Sequence, residues 1–361
     1  MNIDVQDLTL KYGDNTAIDD LSLVVEDGEA LVLLGQSGCG KTSTMRCIAG
    51  LETPSRGVIS IGGDVVFDGS RGISRPPNKR NIGMVFQSYA IWPHLTVFEN
   101  VAFPLTMAKV AKAEIRERVV ATLELVGLGA MADRGASLLS GGQMQRVALA
   151  RSLVMEPSVL LLDEPLSNLD ARLRDRLRLE LRELQQRLGL TSIYVTHDQE
   201  EALALADRIA LMQFGRIVQV GPPHEIYENP ASASIADFLG VNNILPAKRL
   251  GASSVTVEGF DRALRTHDVP THSGELRACF RAEDIQVSAA ATPYDDGFDG
   301  TVVSAGFQGA TIRYLIRTTQ GAELNAVTSK RDGALLRPDD AVSLRVEPDA
   351  IQVLPVEVEA R

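Results

Sequence analysis

The stretch Leu31-Val32-Leu33-Leu34-Gly35-Gln36-Ser37-Gly38-Cys39-Gly40-Lys41-Thr42-Ser43 decides the fold. Four apolar residues that suit a strand run into a glycine-rich turn, and the turn opens a helical pattern over residues 42–49. Strand, glycine loop, Lys-Thr and helix in that order make a phosphate-binding loop. Gly35, Gly38 and Gly40, with Gln36, Ser37 and Cys39 between them, let backbone N–H groups turn inward around phosphate oxygens. The helix start adds the positive end of its dipole. Lys41 is expected at the β- and γ-phosphates, the Thr42 hydroxyl on Mg²⁺, and Ser43 on a phosphate oxygen. Cys39 reads as a small neutral filler.

Working outward, short apolar runs at residues 24–25, 82–86, 159–162 and 192–195 alternate with helical patterns at 113–126, 142–154, 171–188 and 199–206. Strands separated by helices of that length predict an α/β domain with a largely parallel core sheet. Val159-Leu160-Leu161-Leu162 suits a strand buried on both faces. It delivers Asp163 beside the phosphate loop, to hold Mg²⁺, and Glu164 next to it, placed to activate an attacking water. Leu139-Ser140-Gly141-Gly142-Gln143 reads as a helix N-cap with bare backbone donors, a second anion site separate from the first.

Gly221-Pro222-Pro223 and Asn229-Pro230 punctuate the end of this region, and beyond residue 243 helical periodicity disappears. Short strands at 254–257, 301–303, 311–316, 341–346 and 351–354 predict a small β-barrel or sandwich. The expected domains are therefore 1–240, with a helical subdomain near 88–158, and 241–361.

Composition excludes several classes. The 361 residues contain 45% apolar and 23% charged side chains, an ordinary balance for a chain that buries a core. Lys and Arg number 36 against 47 Asp and Glu, a net charge of −11, which disfavours nucleic acid as a partner. No apolar stretch approaches the roughly 18 residues of a membrane helix, and Met1-Asn2-Ile3-Asp4 does not open a signal peptide. Three cysteines make no disulfide framework, and His267, His272 and Cys279 lack zinc spacing. These features lead us to expect a cytoplasmic protein.

The phosphate loop, Gln87, Leu139 to Gln143, Asp163-Glu164, Ser167-Asn168-Leu169-Asp170 and His197, in that order, resemble the ATPase subunit of an ATP-binding cassette (ABC) transporter over residues 3–240. The resemblance implies an α/β phosphate-loop NTPase cassette with a helical subdomain, binding ATP and Mg²⁺. Two copies would pack head to tail, the Ser140–Gln143 signature of one covering ATP on the phosphate loop of the other. It further implies that Tyr12 stacks on adenine and that Gln87 senses Mg²⁺ and the attacking water. His197 would contact the γ-phosphate, and Asp170 would lie in the loop that crosses the dimer interface. No arginine finger is evident, and donors from a second copy's signature can take its place.

Ser88-Tyr89-Ala90-Ile91-Trp92-Pro93, within an expected loop running to Asn100, matches the region where the family docks two transmembrane permease subunits. The β-rich tail resembles the OB-like accessory domain of importer ATPases; Phe280-Arg281-Ala282-Glu283-Asp284-Ile285 matches its motif, with Ala282 where proline is usual. These features imply an importer subunit at the cytoplasmic face of the membrane, served by a periplasmic or extracellular solute-binding protein. The solute expected is ferric iron, a polyamine or a phosphonate, with a sugar as the alternative. A ribosome- or DNA-associated cassette would carry two cassettes or coiled-coil insertions, and neither is visible. A GTPase would need a guanine reader, and Asn78-Lys79-Arg80-Asn81 lacks its aspartate. A regulatory binding module, with the tail as its working part, is the third alternative.

Overall fold

A computed structural model describes residues 1–271, 274–294, 296–331 and 335–357. His272, one of the residues weighed above for zinc, lies outside them. The chain forms two compact units, Met1–Ile226 and Tyr227–Arg361.

In the first unit the strands are β1 (Ile3–Tyr12), β2 (Asn15–Val25), β3 (Ala30–Gly35), β4 (Arg56–Ile61), β5 (Asp64–Asp68), β6 (Ile73–Ser74), β7 (Ile82–Val85), β8 (Val159–Asp163), β9 (Thr191–Thr196), β10 (Arg208–Gln213) and β11 (Arg216–Gly221). The helices are α1 (Lys41–Ala49), α2 (Val97–Met107), α3 (Lys112–Leu125), α4 (Gly141–Leu153), α5 (Ala171–Leu188) and α6 (Gln199–Leu205). One sheet runs β11-β10-β3-β9-β8-β7. Its four pairings from β10 to β7 are parallel, and β11 closes it antiparallel. The β3, β8 and β9 strands are buried along their whole length, as continuous apolar runs covered on both faces must be. On one face Leu31, Leu33, Leu161 and Val195 share a core with Met45 and Ile48 of α1 and with the second sheet. On the other, Leu160, Leu162 and Tyr194 meet Leu149 of α4 and Leu181 and Leu184 of α5.

The second sheet, β2-β1-β4-β5-β6, is antiparallel throughout. It extends the sequence reading, which placed only residues 24–25 of it. Register shifts between Val5 and Leu8 break the period-2 alternation along β1, so its apolar residues do not fall on every second position.

Helices α2 to α4 lie within the expected helical subdomain. The loop expected to run to Asn100 ends earlier, because Thr96 starts α2. Its hydroxyl accepts from Glu99 N at 3.1 Å while Glu99 Oε2 accepts from Thr96 N at 2.8 Å, a capping box. Fully buried Asn100 then holds the loop to the helix, donating to the carbonyls of Trp92 and Thr96 and accepting from Trp92 N.

The second unit is all β apart from short helical turns. One sheet orders Leu264–Arg265, Ser254–Val257, Asn243–Arg249, Leu276–Phe280 and Gln352–Pro355; the other orders Ile285–Ala289, Ala341–Val346, Phe298–Phe307, Thr311–Thr318 and Glu323–Ser329. All pairings are antiparallel, and Val255, Leu276 and Phe280 of one sheet share a core with Ile312, Tyr314, Ile316 and Leu344 of the other. This is the OB-like all-β domain that the resemblance implied. It begins at Tyr227 rather than near 241: Ala233 and Ala236 of the helix Ala233–Phe238 cluster with Val241 and Cys279, so this helix belongs to the β unit.

Candidate active site

In a parallel sheet all carboxyl ends point one way, and the site grows from four of them: Gly35 closing β3, Asp163 closing β8, Thr196 closing β9, and Gln87 beyond β7. The phosphate loop can follow β3 only with glycines at its two ends. A Cβ on Gly35 would lie 2.3 Å from the Met212 carbonyl oxygen, and one on Gly40, at φ +102°, would lie 2.5 Å from that of Ala17. Lys41 is 5% exposed, and its ammonium folds over the loop, donating to the carbonyls of Gly35 at 2.8 Å and Gln36 at 2.9 Å. Cys39 is buried beside it, with Sγ 3.7 Å from the Lys41 Nζ. Gln36 and Ser37 are exposed and Ser43 is half-buried.

Thr42 Oγ1 donates to Asp163 Oδ1 at 3.0 Å, so the loop and β8 meet at these two side chains. Burial raises the Asp163 carboxyl above its usual range, and the Thr42 hydrogen bond pulls the other way. Next to Asp163 the chain turns sharply. Glu164 sits at φ +43°, a left-handed backbone uncommon for a residue other than glycine, with its N–H held by the Val195 carbonyl at 3.0 Å. That turn aims its carboxylate between two partners: Gln87 Nε2 donates to Oε2 at 2.9 Å, and His197 Nδ1 lies 3.0 Å from Oε1. Three residues more than 30 positions apart therefore meet at one carboxylate.

Ser140, Gly141, Gly142 and Gln143 begin α4, where Gln143 Oε1 accepts from Ser140 N at 2.9 Å. The two glycines permit close packing on the following region: a Cβ on Gly141 would be 3.1 Å from Leu169, and one on Gly142 3.1 Å from Leu173. Within one chain this segment thus packs on the start of α5 rather than over its own phosphate loop. Asp170 is the N-cap of α5, its carboxylate accepting from Leu173 N at 3.0 Å. Tyr12 ends β1 with half of its surface exposed, and its hydroxyl donates to Glu52.

The sequence reading quoted Asn168 without its contact and missed other residues that hold this site. Asn168 Nδ2 donates to the Gln87 carbonyl at 2.7 Å. Arg151 of α4 donates to the carbonyls of Tyr89 at 2.7 Å and Ala90 at 2.6 Å, both left-handed at φ +61° and +48°, and lies 4.8 Å from the Trp92 ring. Trp92 in turn packs 4.4 Å from Phe103 of α2. A pair of left-handed residues two positions after Gln87 needs an external anchor, but nothing in the local pattern names the arginine about 60 positions on.

A relative from Brucella melitensis, "Fe(3+) ions import ATP-binding protein FbpC", is 49% identical over 327 residues, 89% of each chain. The chain belongs to the ABC transporter family. The ABC transporter family model matches residues 18–167, and the TOBE domain model matches residues 278–354. The Thermococcus litoralis "Trehalose/maltose import ATP-binding protein MalK" is 53% identical over 249 residues, 69% of this chain and 66% of its own. Among solved structures, cbiO1 from Clostridium perfringens, described as part of the ABC transporter complex cbiONQ, superposes with TM-score 0.57 at 32% identity, over 63% of this chain and 90% of its own. This ABC transporter subunit binds ATP and is an ATPase. Among its described residues no helix is long and apolar enough to cross a membrane.

Proposed function

We propose that the chain powers the import of ferric iron, hydrolysing ATP between two copies of itself beneath a membrane permease. The observation that carries the hydrolytic half is the seating of Glu164 between Gln87 and His197, next in the chain to the Asp163 that accepts from Thr42. For the solute, the FbpC relative is similar across 89% of the chain, tail included, whereas the sugar importer's similarity covers 69%. That breadth favours ferric iron over a sugar.

In this reading the backbone N–H groups of residues 35–43 and the Lys41 ammonium hold the phosphates, and the exposed ring of Tyr12 stacks on adenine. Mg²⁺ fits the site: a hydroxyl and a buried carboxylate, 3.0 Å apart, are the hard oxygen donors it takes, and Thr42 and Asp163 would hold it with Gln87 nearby. When bound, it neutralises charge on the phosphate oxygens. Glu164 accepts a proton from the attacking water, while Gln87 and His197 keep its carboxylate aimed. Ser140, Gly141, Gly142 and Gln143 of the second copy bring donors to the γ-phosphate, with the Asp170 turn between the copies. Nucleotide therefore joins the copies and hydrolysis parts them, a cycle suited to moving a permease docked near residues 88–93. A solute-binding protein outside the membrane supplies the iron, and the ATPase itself sits peripherally at the cytoplasmic face.

The test is Glu164→Gln. ATP binding should persist, turnover should fall at least about 100-fold, and an ATP-bound dimer should accumulate on size exclusion. Normal turnover in this variant would remove Glu164 from the role of base. For the solute, ATPase activity of the native complex in vesicles should respond to a ferric-loaded binding protein; a response to maltose instead would move the assignment to sugars.

A further inference from the structure

Both partners of Glu164 lead back to one turn. Asn168, in the turn before α5, holds the Gln87 backbone through its carbonyl at 2.7 Å. On the other side stands Arg174, one helical turn after the Asp170 N-cap, with its side chain 29% exposed. Its Nη2 donates to the Leu169 carbonyl at 3.1 Å and its Nη1 to Asp198 Oδ2 at 3.3 Å, and its Nε lies 3.9 Å from Glu201 Oε1.

Asp198 and Glu201 do not stand alone. The Thr196 hydroxyl donates to Glu201 Oε2 at 2.7 Å and accepts from Asp198 N at 3.0 Å, and Asp198 Oδ1 accepts from Glu201 N at 3.2 Å. The two neighbours of His197 in the chain, Thr196 and Asp198, are therefore both fixed in one ring of hydrogen bonds, and Arg174 ties that ring to Leu169. The His197 side chain is 59% exposed, so its backbone anchors are what set where the imidazole meets Glu164.

We propose that Arg174 is a positioning residue that couples the 167–170 turn to His197, so that a displacement of the turn reaches the Glu164 carboxylate through the imidazole. This rests on the reading of Glu164 as base and His197 as its orienting partner. A guanidinium suits the task because its planar fork spans a carbonyl and a carboxylate at once, which a lysine ammonium does not. Together with Asn168 on the Gln87 side, it makes the 167–170 turn the common reference for both groups that aim Glu164.

The experiment is a double-mutant cycle on the full chain, measuring steady-state ATPase activity and nucleotide affinity for wild type, Arg174→Ala, His197→Ala and the double variant. Arg174→Ala should lower kcat at least about tenfold while KM for ATP stays within about twofold. In the His197→Ala background the same change should lower kcat by less than about twofold, since the residue it acts through is already gone. Arg174→Lys should resemble Arg174→Ala in kcat. If the Arg174 effect instead multiplies in full on the His197→Ala background, or kcat is unchanged, the coupling is wrong. Should Arg174→Ala not fold, Arg174→Lys and Asp198→Asn enter the same cycle and are read by the same rule. Failure here is separate from failure of the underlying reading: an additive cycle with inactive Glu164→Gln rejects only the coupling, whereas active Glu164→Gln rejects the base itself.

Discussion

Glu164 and Arg281 occupy equivalent places in the two units: each is a charged residue directly after a buried strand. Their surroundings differ in kind. Glu164 is met by the ends of two side chains, Gln87 and His197, at 2.9 and 3.0 Å, on a left-handed backbone. Arg281 is met by main chain: it donates to the carbonyls of Tyr227 at 2.9 Å and Leu239 at 3.2 Å, with its guanidinium 3.6 Å from the Tyr227 ring centre. Partners that are side chains can exchange for water or phosphate without unfolding anything, whereas carbonyl partners at fixed positions cannot. Charged residues of opposite sign in similar places thus give a reactive group in one unit and a structural pin in the other. The alanine at 282, where the motif usually has proline, is fully buried and leaves the pin in place.

The widest separation is in activity. Glu164→Gln should cost at least about 100-fold in kcat. Arg281→Ala should leave kcat within about twofold and instead destabilise the second unit by about 1–2 kcal/mol, the lower end of the scale for leaving carbonyls without a donor, since these two are part-buried. Paired ATPase assays and thermal melts check this. An Arg281→Ala protein with normal stability and collapsed turnover would break the contrast and give the motif arginine a functional part.

In their thiols the two units are alike. Burial pushes Cys47 in the first unit and Cys279 in the second up to about 12. The sign follows directly: above pH 9 the unfolded chain loses these protons while the folded chain keeps them, so stability falls as pH rises from 9 towards 12. Below pH 9 neither thiol contributes a slope. Iodoacetamide at pH 8 should therefore spare Cys47 and Cys279 in the native protein and label them once it is denatured; mass spectrometry of the peptides reads this. Native labelling of either would show that its pocket opens.

What the sequence made legible divides along the same line. Residues 31–43, Asp163-Glu164, Ser140 to Gln143 and His197 are legible because phosphate chemistry requires particular residue types at strand ends and helix starts. The β1 to β2 region is not, since bulges shift its alternation and Asp7 and Asp20 are left-handed at φ +47° and +52°. Arg151 and Arg174 are invisible, as is the contact made by Asn168 of the quoted 167–170 motif, for another reason: each grips a backbone carbonyl, and carbonyls carry no sequence signal. The onset of the second unit was hidden because Ala233 and Ala236 find their partner Cys279 about forty residues on.

The smallest expected effect tests whether the capping box at Thr96 is a pin of the structural kind. Thr96 and Glu99 satisfy each other's backbone N–H at an exposed helix start, and such a cap contributes about 1 kcal/mol. The loop that carries Trp92 has two further anchors, the buried amide of Asn100 and the guanidinium of Arg151. Thr96→Ala should therefore lower stability by about 1 kcal/mol and leave ATP turnover unchanged, because the loop after Gln87 keeps its other holds. Asn100→Ala removes a fully buried group with three main-chain partners and should cost about 2–4 kcal/mol in a denaturant melt. If Thr96→Ala slowed turnover without lowering stability, the start of α2 would belong with the exchangeable contacts around Glu164, and the division between the two kinds of contact would have to be redrawn inside the first unit.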